Sequence, residues 1–357
     1  MNDPGKVSES VFRRCVEKRL YHLPAGEGAI CQSDRFSGRF EAAGLQLASA
    51  SAAEEGPDAM TGASAVYQAV AYLAAAGALP LFVTLDITAD RACSEKELHQ
   101  ICDGAGRAAQ LLGLSVLQSD IRYLSCSGQG RAMAAARALG MADAAFEPER
   151  ARPGQALIMA GCAGWHGSLK LADIFREKIL SAWNEDFAAP LLYPQSLDQY
   201  FLPPADGRQG EGGLFASAAL AAQAGIRAMH APGEGGIFTG IWDFAARARL
   251  GVRIFLDRIP IRQETVEVCD LLGVNPYLLM SQGTLLMAAD EEMRILEEFA
   301  AAAIPAAVIG YFTDGSDRVV INDGETRFLE PFRGDSFYKA FKKDEKQSLQ
   351  ENKKSGV

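Results

Sequence analysis

A histidine and a glycine-rich loop stand together in the second half of this 357-residue chain, just before a stretch with helical periodicity. The members of this cluster are His230, Gly233, Glu234, Gly235 and Gly236. The first backbone N–H groups of a helix have no partner inside the helix and carry the positive end of its dipole. Glycine also lets an anion approach the main chain closely. The sequence therefore predicts an anion-binding helix start, with a plain loop-to-helix connection as the alternative.

A second glycine-rich loop follows a predicted buried strand over 156–160 and precedes a helix expected to begin near Leu169. Its candidate ligand-binding residues are Gly164, His166, Gly167 and Ser168. Strand, glycine turn and helix again form the geometry of an anion site, and a tight strand-to-helix connection fits the same pattern. The imidazole of His166 could transfer a proton or contact a phosphate, or it could simply complete the hydrogen bonds of the turn.

Composition and charge exclude several classes of function. The net charge is −10 and the sequence pI is about 5.1, which argues against a partner such as duplex nucleic acid. The seven cysteines show no metal-ligand spacing, so the sequence predicts no metal site from them. The longest apolar run, over 66–83, contains Gly77 and Pro80 and predicts a core helix, a turn and a strand rather than a membrane span. With no signal peptide at its start, the chain is expected to be cytoplasmic and to have no membrane partner.

Hydrophobic periodicity divides the chain into an α+β (α/β) arrangement of two domains. Residues 1–150 are predicted to form the first domain and residues 151–334 the second, with a proline-containing hinge near 147–154; residues 335–357 are predicted to be a disordered polar tail. The predicted helices cover 66–76, 94–112, 264–272 and 290–303, and the predicted strands cover 80–87, 114–117, 252–257, 285–288 and 306–310.

A series of motifs recurs in a characteristic order through the second domain. The order is Pro153-Gly154 before a strand, the loop over 164–168, the cluster over 230–236, Ile259-Pro260-Ile261-Arg262, Leu272-Gly273-Val274-Asn275-Pro276, Gly283-Thr284, and Ile309-Gly310 before a hairpin. This order resembles the C-terminal domain shared by AIR synthase, thiamine-monophosphate kinase, selenophosphate synthetase and the HypE-type hydrogenase maturation factor. The chain is most similar to HypE-like, AIR synthase-related proteins.

The resemblance implies a fold, a cofactor and partners. The N-terminal domain would pair with its twin in a homodimer, the two sheets closing into a β-barrel, and the C-terminal domain would carry a mixed sheet with helices. ATP and Mg²⁺ would lie between the domains, and a substrate oxygen would be phosphorylated, because Mg²⁺ held by carboxylates neutralises the transferring phosphoryl group. The retained glycine loops would then serve a small phosphorylated ligand or a protein partner.

Several positions of this sequence differ from the family's metal-binding pattern. Near 26–36 only Glu27 and Asp34 could replace the expected acidic motif, and Ala71-Tyr72 stands where the family has Asn-Asp. The His-Asp-x-Thr motif becomes His230 followed by Ala-Pro-Gly. The interpretation is a HypE-like protein with weakened or lost ATP-dependent chemistry, a pseudoenzyme candidate that retains a ligand-binding scaffold and has no assigned catalytic residue. The alternative is an active ATP-dependent phosphoryl-transfer enzyme whose remodelled metal site uses Glu54, Glu55, Asp58 and Asp120.

The family's hydrogenase branch works through a cysteine at the extreme C-terminus, and this feature also differs here. The last cysteine of this sequence is Cys269, within the predicted helix over 264–272. Cyanide-ligand synthesis through a terminal cysteine is therefore not expected of this chain.

Overall fold

Two mixed sheets organise the chain. The computed structural model describes residues 9–18, 29–33, 36–42, 45–124, 131–142, 149–192, 214–331 and 333–341. The first sheet has the strand order β1-β2-β3-β6-β4-β5, in which only β4 and β5 run parallel. Its strands are β1 Ala29–Ser33, β2 Ser37–Ala42, β3 Leu45–Glu55, β4 Ala78–Ala89, β5 Ser115–Tyr123 and β6 Ala132–Ala142.

Helices cover one face of the first sheet. After α1 Glu9–Phe12, which continues as a π-helical turn over Arg13–Glu17, come α2 Ala59–Ala75 and α3 Glu95–Leu111. Asp58 caps the start of α2 by accepting a hydrogen bond from the Thr61 N–H. Ser94 and Glu97 form the capping box predicted for the start of α3. Helix α2 is almost entirely buried between α3 and the strands β3 and β6.

The second sheet has the order β13-β12-β9-β11-β7-β10-β8, in which only β12 and β9 run parallel. Its strands are β7 Ala156–Ala160, β8 Ala228–His230, β9 Gly251–Phe255, β10 Leu285–Ala289, β11 Ala306–Thr313, β12 Arg318–Asn322 and β13 Glu325–Phe328. Every residue of β7 and β10 is buried, as expected of apolar central strands covered on both faces.

The helices of the second half pack on both sides of this sheet. They are α4 Trp165–Ile174, α5 Arg176–Ala182, α6 Glu185–Leu192, α7 Leu214–Gln223, α8 Gly236–Ala248, α9 Gln263–Leu272 and α10 Glu292–Ala301. Helix α4 begins at Trp165, about one turn earlier than the expected Leu169, because Gly164 in the left-handed conformation starts the helix directly. Helix α10 is two residues shorter at each end than the predicted 290–303.

The C-terminal tail differs from the expectation over residues 335–341. Residues 336–341 are helical, and Phe337 and Ala340 are buried in the main core. Phe337 and Phe341 lie one helical turn apart with their rings in edge contact, at 5.3 Å between centroids. The lysine-rich composition after residue 341 hid this apolar pair, so the tail was predicted to begin too early. Residues 342–357 lie outside the described part of the chain.

One apolar core runs through both halves of the molecule, with Leu73 and Ile101 on one side and Trp165, Phe299 and Phe337 on the other. Helix α2 contacts β8 and α7, and the Gln68 side chain donates a hydrogen bond to the Pro232 carbonyl. Both glycine loops therefore lie next to the N-terminal half. None of the helices in the described ranges is both long and apolar enough to cross a bilayer.

Candidate functional site

Both glycine loops pack against the segment 276–282. The Gly164 N–H donates to Ser281 Oγ at 2.9 Å, and the Gly167 N–H donates to the Met280 carbonyl at 3.1 Å. The Ser281 N–H in turn donates to the Gly233 carbonyl at 3.1 Å. Segment 276–282 therefore joins the two loops that the sequence selected as separate anion sites.

The glycines at the two helix starts are required by close packing. Gly164 and Gly236 have φ values of 69° and 71°, and a Cβ at Gly236 would lie 2.5 Å from the Tyr277 carbonyl oxygen. A Cβ at Gly164 would lie 2.8 Å from the Pro276 carbonyl oxygen. Larger residues are excluded by the chain's own backbone, whereas the sequence argument had assigned this role to an approaching phosphate.

The start of helix α8 already holds an anion, the carboxylate of Asp335. The Gly235 N–H donates to Asp335 Oδ2 at 2.5 Å, and the Phe337 N–H donates to Oδ1 at 2.7 Å. The Met280 N–H is a third donor to the same carboxyl group. At this helix start a side chain from the expected disordered tail therefore lies where the sequence predicted a bound anion.

The environment of Asp335 places its ionisation in the physiological range. The residue is only 1% exposed. Burial raises the pKa of its carboxyl group to about 7, while the three backbone N–H donors act in the opposite direction by favouring the charged form. The negative charge at the start of α8 is therefore sensitive to pH near neutrality.

A buried ion pair joins the two halves behind the loops. Lys170, on α4, donates to Glu54 Oε2, on β3, with 2.9 Å between Nζ and the oxygen. The two side chains are 4% and 5% exposed. Gln282 completes the group by donating to the other oxygen of Glu54 at 2.6 Å. Burial opposes ionisation of both partners, but their mutual attraction keeps the pKa of Glu54 below and that of Lys170 above the usual values.

His166 lies beside this ion pair and is fully buried. Burial lowers the pKa of its imidazole to about 4, against the attraction of the neighbouring Glu54 carboxylate. The imidazole is therefore neutral at pH 7. Ser168 is also buried, and its hydroxyl donates to the Gly164 carbonyl at 2.8 Å. These contacts explain the polar residues of the first loop through the chain's own interactions.

Two cavities open at the junction of the halves and share Phe36 and Tyr72. The larger has a volume of about 400 Å³, and its acidic lining residues are Glu54, Glu55 and Glu234. The smaller has a volume of about 220 Å³ and includes His230 in its wall. Of the residues predicted in the two glycine loops and at position 230, Glu234 and His230 line one or other of these two cavities.

Comparison with known proteins shows which family part of this chain resembles. Residues 211–322 match the family described as AIR synthase related protein, C-terminal domain. Carbamoyl dehydratase HypE of Rhizobium leguminosarum bv. viciae is 26% identical over 238 residues, which cover 66% of this chain and 62% of the relative. A putative hydrogenase expression/formation protein of Methanocaldococcus jannaschii is 25% identical over 272 residues, or 74% of each chain. The chain thus spans less than two thirds of the first relative's length.

The fold matches solved structures of the same group. HypE of E. coli, a hydrogenase maturation protein, superposes with a TM-score of 0.62 at 16% identity, covering 81% of this chain and 87% of that chain. Residues 211–322 thus carry an AIR synthase-related C-terminal domain, and the chain as a whole is similar to HypE proteins in sequence and fold. A HypE solved in complex with ATP gives a TM-score of 0.58 at 16% identity over 94% of this chain and 98% of that chain. A HypE–HypF complex superposes with a TM-score of 0.59 at 17% sequence identity, covering 82% of this chain and 93% of that chain.

The four candidate metal ligands of this HypE-like protein do not come together. Asp58 caps α2, and Asp120 lies on β5 with its side chain 54% exposed, paired with Arg122. Glu54 forms an ion pair with Lys170, and Glu55 Oε1 lies 3.6 Å from Arg131 Nη1. No group of three or more histidine, cysteine, aspartate or glutamate side chains suited to a metal ion occurs within the described ranges. Glu27 and Asp34, the other two acidic candidates, lie outside those ranges.

Cys269 is placed where it cannot serve as an accessible nucleophile. It lies inside helix α9 and is 2% exposed. Burial raises the pKa of its thiol to about 12, so the thiol stays protonated at neutral pH. Because the thiolate is the reactive form of cysteine, this residue is structural.

Sequence reasoning missed the residues that organise the site. Asp335 was assigned to the tail, although the aromatic residues at 337, 338 and 341 after it were a signal of helical packing. Lys170 gave no signal, because a single lysine in a helix is usually solvated. Glu54 was selected as a metal ligand, and the structure gives it an internal cation instead.

Proposed function

We propose that this chain is a hydrogenase maturation factor-like protein that binds a small anionic ligand or a protein partner, with ATP-dependent chemistry weakened or lost. The observation that carries the proposal is the position of Asp335 at the α8 start, where its carboxyl group accepts the Gly235 N–H that the glycine loop would otherwise offer to a phosphate. The pairing of Glu54 with Lys170 supports it further, because Mg²⁺ would have to compete with a buried cation for that carboxylate.

The alternative is an ATP-dependent phosphoryl-transfer enzyme with a remodelled metal site. It is favoured by the structural neighbour that was solved with ATP and by the three glutamates around the larger cavity. A divalent cation held there would need Glu55 and Glu234 together with groups from outside the described ranges. The residues in hand do not fit a complete Mg²⁺ shell, so no step of a reaction is assigned to ATP.

Release of inorganic phosphate from Mg-ATP separates these two functions. The proposal expects no release above the buffer rate, because no described carboxylate set holds the metal. The measurement is a coupled phosphate assay on purified protein, with and without EDTA. Turnover that requires Mg²⁺ and is lost in Glu55→Ala, but not in the exposed Asp314→Ala control, would establish the alternative.

A protein partner is the second part of the proposal. A relative of this fold is solved as a HypE–HypF complex, which supports a partner of the hydrogenase maturation apparatus for this chain as well. A cavity at the junction of two domains is a common place for a small ligand to bind.

We also infer a homodimer, formed through the open face of the first sheet. Leu47, Met141 and Leu79 are aligned across β3, β6 and β4 by the strand register. Leu79 is 65% exposed and Met141 is 48% exposed. A row of large apolar side chains across the centre of an uncovered sheet is typical of a surface that a second copy covers.

Charge introduced into this row is expected to dissociate the dimer. Leu79→Glu with Met141→Glu would place four carboxylates in an apolar interface, and burying unpaired charge is strongly unfavourable. Sedimentation velocity at micromolar concentration should show a dimer for the wild type and a monomer for this variant. Met293→Glu, a change at an equally exposed methionine on α10, is the matched control and should leave the dimer intact. A monomeric wild type would contradict the inference.

A further inference from the structure

One face of the second sheet is open to solvent at its β12–β13 end. The strand register places four side chains next to one another across β11, β9, β12 and β13, namely Tyr311, Arg253, Val319 and Phe328. Phe328 is 74% exposed, and every residue of β13 is exposed. On the opposite face, by contrast, Val252 and Ile254 of β9 are buried. A large aromatic side chain on an open sheet face is typical of a surface to which another molecule binds.

A second row of side chains extends this open face. Phe255 and Ile321 are paired across β9 and β12, and both are half-buried. The Phe255 ring lies edge to face with that of Tyr311, at 6.4 Å between centroids. Tyr311 is held at the margin of the face, because its hydroxyl donates to Glu292 Oε1 at 3.1 Å. The surface is therefore ordered before a partner binds, which lowers the entropic cost of binding.

Two arginines give the open face a positive character. Arg253 is exposed at its centre, and the exposed Arg258 places its guanidinium group over the Phe255 ring, 4.3 Å from the centroid. Within the described ranges, neither arginine forms an ion pair or a side-chain hydrogen bond. The acidic residues beside the face are Glu292, which is bonded to Tyr311, and Asp257, which precedes Arg258 in the sequence. The two guanidinium groups therefore have donors available for the carboxylates of a partner.

A second copy of this chain fits the open face poorly, because Arg253 lies at the centre of it. A twofold interface brings equivalent patches together, so it would place the two Arg253 side chains near one another. Like charges brought together in an interface oppose the pairing. The homodimer inferred above also uses the first sheet, whereas this face belongs to the second. Charge complementarity therefore favours a different, acidic partner.

We propose that the open face binds a protein partner through an acidic segment that also carries a large apolar side chain. Carboxylates of the segment pair with Arg253 and Arg258, and its apolar side chain packs on Phe328 beside Val319. Arginine and aromatic residues are the types that contribute most to the affinity of protein interfaces. The inference rests on the proposed function in one respect, because it gives the location and the chemistry of the protein partner proposed above.

The test begins with short peptides selected on the purified full-length chain from a random phage-displayed library, in EDTA and without nucleotide. We expect the selected peptides to combine acidic residues with an aromatic or large aliphatic one. Fluorescence anisotropy of their synthetic forms should give a Kd below about 100 μM, and the affinity should fall as salt rises from about 50 to 300 mM. Selection of peptides without acidic residues, or of none at all, would overturn the proposal.

Variants at two exposed positions locate the binding to this face. Arg253→Glu reverses a charge at its centre, and Phe328→Ser removes its most exposed aromatic ring; each should weaken peptide binding at least about tenfold. Arg176→Glu makes the same charge change at an exposed arginine on α5, and it should leave the Kd within about twofold. Equal binding by the wild type and both variants would keep a protein partner but overturn this surface.

Two further measurements complete the test. The melting temperature shows whether each variant is folded, and either variant suffices if the other is not. Self-association of the wild type that Phe328→Ser abolishes, measured by sedimentation velocity, would show that a second copy covers the face and would also overturn the proposal. Because metal and nucleotide are excluded, the result is independent of whether Mg-ATP is bound or turned over.

Discussion

Replacing Lys170 by methionine is expected to lower the free energy of unfolding by about 3–5 kcal/mol. Methionine fills nearly the same space, so the cost comes from leaving the Glu54 carboxylate buried without its cation rather than from a cavity. The Gln282 amide remains as a single hydrogen-bond donor to that carboxylate, which is not enough to replace the lost charge. Urea denaturation followed by circular dichroism measures the change.

The double substitution Lys170→Met with Glu54→Gln is the decisive control for that prediction. It removes both charges and keeps the hydrogen-bonding group near Gln282, so stability should return to within about 1–2 kcal/mol of the wild type. Arg122→Gln breaks an exposed ion pair with Asp120 and should cost less than about 1 kcal/mol. If Lys170→Met lowered the free energy of unfolding no more than Arg122→Gln does, the buried ion pair between Glu54 and Lys170 would not hold the two halves together in solution.

Replacing Asp335 by alanine is expected to destabilise the protein by about 3 kcal/mol at pH 6, because the backbone N–H groups of Gly235, Met280 and Phe337 lose their acceptor. Gly235 is buried, and the helix 336–341 loses its attachment to the start of α8 as well. Denaturation of the wild type and of Asp335→Ala measures the difference. Asp314→Ala, at an exposed aspartate, should change stability by less than about 0.5 kcal/mol.

The difference in unfolding free energy between the wild type and Asp335→Ala is also expected to depend on pH, in a direction that the pKa of Asp335 defines. The pKa of Asp335 is raised to about 7 in the folded protein, so the unfolded chain loses this proton first as pH rises. The stability contributed by the protonated carboxyl is therefore complete below the unfolded pKa and decreases up to about pH 7. Between pH 6 and pH 8 the advantage of the wild type over Asp335→Ala should shrink by about 1.4 kcal/mol. An advantage that stays constant between pH 6 and pH 8 would mean that the carboxylate is bound in its charged form throughout this range.

The sequence predicted the elements of the fold with the strongest local signals. The capping box at Ser94 and Glu97, the apolar run over 156–160 and the glycine start of α8 are all confirmed, because each depends on interactions within a few residues. The resemblance added the family, which periodicity alone does not give. The two-domain division and the role of the segment beyond residue 341 stay predictions.

The site was harder to predict, because its organising contacts join residues far apart in sequence. Glu54 and Lys170 are 116 positions apart, and Gly235 and Asp335 are 100 apart. Contacts between residues so far apart in the sequence produce no local sequence pattern that could predict them. Anion binding by the glycine loops stays a prediction, and only the folded chain shows that the Asp335 carboxyl group lies at the start of α8 and that the close neighbour of Gly236 is the chain's own backbone.

The central proposal is that ATP-dependent chemistry is weakened or lost in this chain, and the melting temperature in Mg-ATP tests it most directly. A ligand present at 100 times its Kd stabilises a native state by about 2.7 kcal/mol, which would raise the melting temperature of a protein of this size by about 3–4 °C. We predict no change beyond about 1 °C at millimolar Mg-ATP relative to Mg²⁺ alone. A rise of several degrees that requires Mg²⁺ would contradict the account.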